Sequence, residues 1–267
     1  MSAILNADEI ALEKLEVIGR GLDSRGEIQV DCEVTARYPA TVNEPVARLR
    51  IVVVDETGEW PLAACESPLV QQGLAAHPGQ LALSCSLRTP VPTNVDVDDL
   101  GVRPTVLFYP IPWTRIADVA LPPAGHRQSD TSVSCGDLKV NRWWVTARSS
   151  TGSFTEYEIG ARVENRGSET LGLGVVRLLL EDAERRLLWS ELCSAEGIGP
   201  GEERVLSGRI SIAGGPQQRG MNRITLSAGA VRVPVVVPLA VWQIEMAAGS
   251  AESRSGHQAG AVPKGCH

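Results

Sequence analysis

The sequence predicts an all-β fold: two tandem β-sandwiches from an internal duplication, followed by a flexible C-terminal tail. Three observations carry this. Apolar and polar residues alternate with period two in many short stretches, the order of stretches and turns occurs twice along the 267 residues, and no long amphipathic helix interrupts it. Successive side chains on a strand point to opposite faces, so period two means a strand covered on one side only.

The first copy opens with Ile28, Val30, Cys32, Val34 and Ala36, and the second with Thr155, Tyr157, Ile159, Ala161 and Val163. Polar turn residues follow each. Next come Arg48 to Asp55 and Val175 to Asp182, in which Arg50 corresponds to Arg177 and Asp55 to Asp182. The alternation directs Leu49, Ile51 and Val53, with Val176, Leu178 and Leu180, into two cores and turns Arg50 and Arg177 outward. A segment bearing Trp60 and Cys65, or Trp189 and Cys193, then leads to a Pro-Gly turn, at Pro78-Gly79 and at Pro200-Gly201. Proline presets the first turn dihedral and glycine accepts the positive one. Leu81 to Leu87 and Arg204 to Ile210 read as strands, and Arg103 to Val106 and Arg223 to Leu226 open the last hairpins. Trp113 to Leu121 and Val231 to Ile244 are expected to close them within the same copy.

Six or seven short strands per copy, with a turn signal every 8 to 12 residues or so, is the immunoglobulin-like sandwich pattern. The first sandwich is placed at residues 1–121 and the second at 135–246. Between them, 122–134 is poor in apolar residues and reads as a linker; 247–267 is Gly, Ala, Ser and charge and reads as a mobile tail. The order of strand, short acidic turn, Pro-Gly turn and closing hairpin resembles the bacterial immunoglobulin-like domains of the CARDB and FxLYD type. That resemblance implies a non-catalytic adhesive or scaffolding role.

Charge and composition remove several classes. A net charge of −7 offers no electrostatic reason to seek a phosphate backbone, so nucleic acid is not an expected partner. The most apolar run, Val231 to Trp242, is broken by Arg232, Pro234 and Pro238 and is too short to cross a bilayer as a helix. The N-terminus carries Asp8, Glu9, Glu13 and Glu16 instead of a basic start, which makes cytoplasm the expected location. Export without a leader, or residence in a virion or secretion particle, is left open.

Organised chemistry is not expected. There is no Gly-x-Ser-x-Gly elbow, and of the four histidines His126, His257 and His267 fall in the linker or tail while His77 abuts a Pro-Gly turn. No cofactor is expected. For metals, Asp96 and Asp98 alternate as calcium ligands can, but counting from Asn94 the sixth residue is Asp99 where a calcium loop needs glycine, and the twelfth is Thr105 where it needs glutamate. A solvated acidic loop is the favoured reading. Cys266 and His267 end the tail as a weak soft-metal pair. Cys32 and Cys85 lie on the inward side of their strands, matched by Tyr157 and Ser207; buried thiols are favoured over a bridge between two sheets.

Six tryptophans against two phenylalanines is an unusual balance. Trp143 and Trp144 are adjacent on a strand, so one faces outward, and an outward indole marks a binding surface. The leading function is therefore protein binding or scaffolding, with self-association as one form of it. A carbohydrate platform is the second class, and a thiol-based redox or metal carrier the third.

Overall fold

A computed structural model describes residues 7–21, 27–39, 42, 44–55, 57, 61–71, 79–91, 99–122, 124–130, 132–150, 154–213 and 222–246. The fold is all β. Among the described residues helical structure is confined to 3-10 turns, at Ala7–Glu9 and at Asp99. The first seven strands are β1 (Ala11–Gly21), β2 (Glu27–Arg37), β3 (Val46–Val54), β4 (Pro61–Glu66), β5 (Val70–Gln71), β6 (Gln80–Pro90) and β7 (Gly101–Tyr109). Next are β8 (Thr114–Ala120), β9 (His126–Ser129), β10 (Val133–Cys135), β11 (Leu138–Ser150), β12 (Phe154–Asn165) and β13 (Leu171–Glu181). The chain continues through β14 (Leu187–Ile198), β15 (Glu203–Ala213), β16 (Arg223–Val231), β17 (Val235–Pro238), β18 (Trp242–Gln243) and β19 (Glu245–Met246).

These strands build four sheets in two facing pairs. One core lies between the sheet β19-β1-β2-β6 and the sheet β17-β7-β3-β4, and another between β10-β11-β12-β15 and β14-β13-β16-β8. The strand orders of the two halves agree: β1-β2-β6 beside β4-β3-β7 in the first, β11-β12-β15 beside β14-β13-β16 in the second. The inward register is as the alternation predicts. Leu49, Ile51, Val53, Val176, Leu178 and Leu180 are all buried, as are the alternate residues of β2 and β12.

The hairpins that close each copy are different from the expected ones. β7 does not pair with β8; on the edge away from β3 its partners are β17 and β18, from the far end of the chain. β16 pairs with β8, from the first half. Each half thus gives its last strand to the other half's sheet, and β19 adds a further strand beside β1. The connectors are long enough for a hairpin, but their prolines favour an extended path over a tight turn: Pro110 and Pro112 lie between β7 and β8, and Pro234 lies between β16 and β17. A chain held extended at this point passes on to the neighbouring sandwich.

The exchange presses the outer faces of the β7-β3 and β13-β16 sheets together. Val46, Tyr109, Ile111, Leu173 and Val175 form a third apolar cluster there, with Trp113 and Leu192 packed against it. Arg177 does point away from its own core, but outward at this point means into the seam, and its side chain is only 10% exposed. It pairs with Glu44 of the first sandwich, and its guanidinium lies 4.5 Å from the centre of the Trp113 ring. Trp113 Nε1 donates to the Glu44 carbonyl at 2.9 Å. Arg48 reciprocates from the first sandwich, reaching Glu196 of the second at 2.5 Å and Glu66 at 2.6 Å. Arg50, the residue matched with Arg177 in the sequence, is half exposed.

The thiols also differ from expectation in one respect. Cys32 and Cys85 are buried and free, but they face each other across β2 and β6 within one sheet, not between sheets. In the second half Tyr157 faces Ile210, while Ser207 faces Gly160 and points outward, so Tyr157 and Ser207 are not the matching pair.

Candidate functional site

Cross-strand register decides what the paired indoles do. Trp143 turns inward and is 8% exposed within the second core. Trp144 turns outward, flanked by Gln128 on β9 and Gly160 on β12. A Cβ added at Gly160 would meet the Trp144 ring at 2.7 Å. The indole therefore lies across the one neighbour that has no side chain, and is half buried by its own sheet. Asp96, Asp98, Cys266 and His267 lie outside the described residues.

The exposed apolar surface is elsewhere. Large exposed apolar side chains concentrate between Val233 and Trp242: Val233 is 73% exposed, and Val236, Val241 and Trp242 each close to half. This segment carries the exchanged strands β17 and β18, at the free edge of the first sandwich. Val235, Val237 and Leu239 turn in against the first core, which leaves Val236 on the outer face opposite Leu107. Val241 rests on Gly101, its Cγ1 2.7 Å from where a Cβ there would stand, beside Val54. Val236 and Val241 thus lie on the outer face of the sheet, whereas Trp242, opposite the inward Val102, stands on the other face at the open edge. Pro234 and Pro238 remove two edge donors, so the strip offers side chains to a partner more than a free edge for strand addition.

Sequence reasoning assigned this run to the second sandwich and missed it as a surface. The available signal was its lack of alternation: a strand apolar on both faces needs cover on both.

The other exchanged strand, β8, is fixed by charge. Asp118 accepts from Arg223 at 2.8 Å and from Arg185 at 3.1 Å, and also pairs with Arg115. Burial works to raise the Asp118 carboxyl, but the hydrogen bonds from Arg185 and Arg223 and the charge of Arg115 outweigh it and hold it below the usual carboxylate range. A carboxyl held low when folded contributes stability at neutral pH and loses it as pH falls through its folded value. Asp118→Asn is therefore expected to destabilise by about 1 to 2 kcal/mol at neutral pH. The gap from wild type should close as melts are taken from about pH 5 down to pH 2. A gap that stays constant across that range would show that the carboxylate charge is not what fixes β8.

Among the described residues no group of three or more His, Cys, Asp or Glu side chains is placed to hold a metal ion, and no helix is long and apolar enough to cross a membrane.

The chain matches no protein-family model and no curated protein sequence. Among solved structures it is similar to a β-glucuronidase from glycoside hydrolase family 2, at 9% identity over 73% of this chain and 21% of that one, with a TM-score of 0.24. It is also similar to a calcium-binding mutant of Bacteroides uniformis β-glucuronidase 2, at 12% identity over 74% of this chain and 24% of that one, with a TM-score of 0.28. A putative β-galactosidase from Bacteroides fragilis matches at 12% identity over 83% of this chain and 34% of that one, also with a TM-score of 0.28. The chain spans about a fifth to a third of the length of these structures. Likenesses this loose transfer nothing to it.

Proposed function

We propose that this protein is a non-catalytic binding or scaffolding protein that engages another protein through the apolar strip from Val233 to Trp242. The exposure of that strip is the observation that carries the reading: isolated exposed apolar residues are ordinary, but four large ones, an indole among them, fall within the ten residues of this edge segment. Interlocking supports it further. Two sandwiches sharing strands present such a surface at a fixed angle, so little ordering entropy is lost on binding. The resemblance to CARDB and FxLYD domains points in the same direction.

The test is the double variant Val236→Ser with Trp242→Ser. Both side chains are close to half exposed, so the melting temperature should change little, while capture of the partner from the source cell should fall at least tenfold. Equal capture by the variant removes the strip as the interface. If wild type sediments as a dimer and the variant as a monomer, the partner is a second copy of this chain. A carbohydrate reading draws on the same indole, since the exposed Trp242 face can stack on a sugar ring. Retardation of wild type but not the variant in a polysaccharide gel would favour it over a protein partner.

A further inference from the structure

The first sandwich gathers three thiols. Cys32 and Cys85 face each other across β2 and β6, and Cys65 arrives from β4 in the opposite sheet, packed against the same core. Cys65 stands opposite Ile51 of β3, which turns inward, so its side chain points between the sheets, where β4 packs against β6. β4 and β6 are the edge strands on the same side of their two sheets, so Cys65 and Cys85 meet where the sandwich is open.

The second half holds an internal reference for this geometry. There Cys193 on β14 approaches β15, the strand pair that corresponds to β4 and β6. Its partner position is Gly208, and a Cβ built on Gly208 would stand 3.0 Å from the Cys193 sulfur. In a disulfide, a sulfur and the Cβ across the bridge are about 3 Å apart, as follows from an S–S bond of about 2.05 Å. In the second half the spacing between these two edge strands is thus that of a disulfide, and the first half has a cysteine on each of the corresponding strands.

We infer that Cys65 and Cys85 are a site of oxidative modification, at which a hydroperoxide closes a disulfide joining the two sheets of the first sandwich. Cys65 is the entry point because it is half buried whereas Cys32 and Cys85 are fully inside. Peroxide transfers one oxygen to the Cys65 sulfur, giving a sulfenic acid and water. The Cys85 sulfur then attacks it: the S–S bond forms, the S–O bond breaks, and hydroxide leaves with the Cys85 proton as a second water. One peroxide is reduced and two thiols are oxidised. Burial pushes the Cys32 and Cys85 thiols up to about 12, so neither competes for the first step as a thiolate at neutral pH. Cys32 and Cys85 also leave the same pleated face side by side, a less favourable approach for a bridge than two side chains meeting head-on from opposite sheets.

The experiment is to treat the reduced full-length chain with hydrogen peroxide, block remaining thiols under denaturing conditions and map the peptides without reduction. Cys65 should be linked to Cys85 with Cys32 free, and the melting temperature should rise by roughly 5 to 10 °C. Cys32→Ser should keep the bridge, and Cys85→Ser should abolish both the bridge and the rise. Gly208→Cys should add a matching link to Cys193. A wild-type map that links Cys32 to Cys85, or leaves Cys65 and Cys85 both blocked as free thiols, overturns the inference, and does so whether or not the Gly208 variant folds.

Discussion

Removing the residues after Arg232 is expected to unfold the first sandwich, although everything removed lies at the opposite end of the chain. The truncation takes away β17, β18 and β19, which pair with β7 and β1. It also removes Val235, Val237, Leu239 and Ile244 from the first core. A fully buried apolar side chain contributes about 1.5 to 3 kcal/mol and a partly buried one less; Ile244 is fully buried and the other three partly, so with the lost ladder they supply a substantial share of the 5 to 15 kcal/mol that keeps an ordinary domain folded. The second sandwich keeps all its strands, including the borrowed β8. Thermal melts and limited proteolysis of the truncated chain should show cleavage between residues 7 and 109 first. Residues 1–121 alone should give no cooperative melt, since β8 would have no sheet to join and β7, still paired with β3, would lose β17 and β18 from its other edge. A sharp melt from that fragment would mean that each half can close on itself and that the exchange is not required.

The exchange was not legible in the sequence, and the reason is physical. Period two states which side of a strand is buried, not which sheet buries it: Val235, Val237 and Leu239 would present the same inward face to either core. For the same reason the register of β3 and β13 was legible residue by residue, while the surroundings of the outward residues were not. Arg50 and Arg177 occupy matching outward positions, yet the first meets solvent and the second meets Glu44 and Trp113 of the other half. Trp144 makes the same point at the candidate site. Its outward direction follows from Trp143 being inward, but its seat across Gly160 depends on cross-strand register, to which adjacent positions in sequence give no access. The prolines in both connectors were the one local signal against a tight return, and they do not say which sheet receives the strand.

Gly172→Ala is expected to be among the most damaging single substitutions in the chain, while Gly174→Ala, two residues along the same strand, should be nearly silent. Both glycines lie on β13, and both would place a Cβ too close to a neighbour. The neighbours differ in what they can do. At Gly174 the closest atom is the end of the Ile198 side chain, at 2.6 Å, which can rotate away. At Gly172 it is the backbone carbonyl oxygen of Arg232, at 2.3 Å, where the chain leaves the second sandwich for the first. That carbonyl also accepts from the Gly172 N–H at 3.1 Å. Nor is Arg232 free to retreat, because its guanidinium is held by Asp137 at 2.9 Å and Glu169 at 2.5 Å. A methyl group at 172 must therefore push the crossing segment off β13, breaking the hydrogen bond and displacing the path to β17. The expected loss is about 3 kcal/mol, toward the upper end for overpacking, and should lower the melting temperature by roughly 6 to 12 °C. At Gly174 the entropy lost by the unfolded chain, worth about 0.4 to 1 kcal/mol in favour of alanine, offsets the small repacking cost. Differential scanning calorimetry of the two variants side by side checks this. Equal melting temperatures would show that the crossing segment moves freely and that the two sandwiches are not pinned where the chain passes between them.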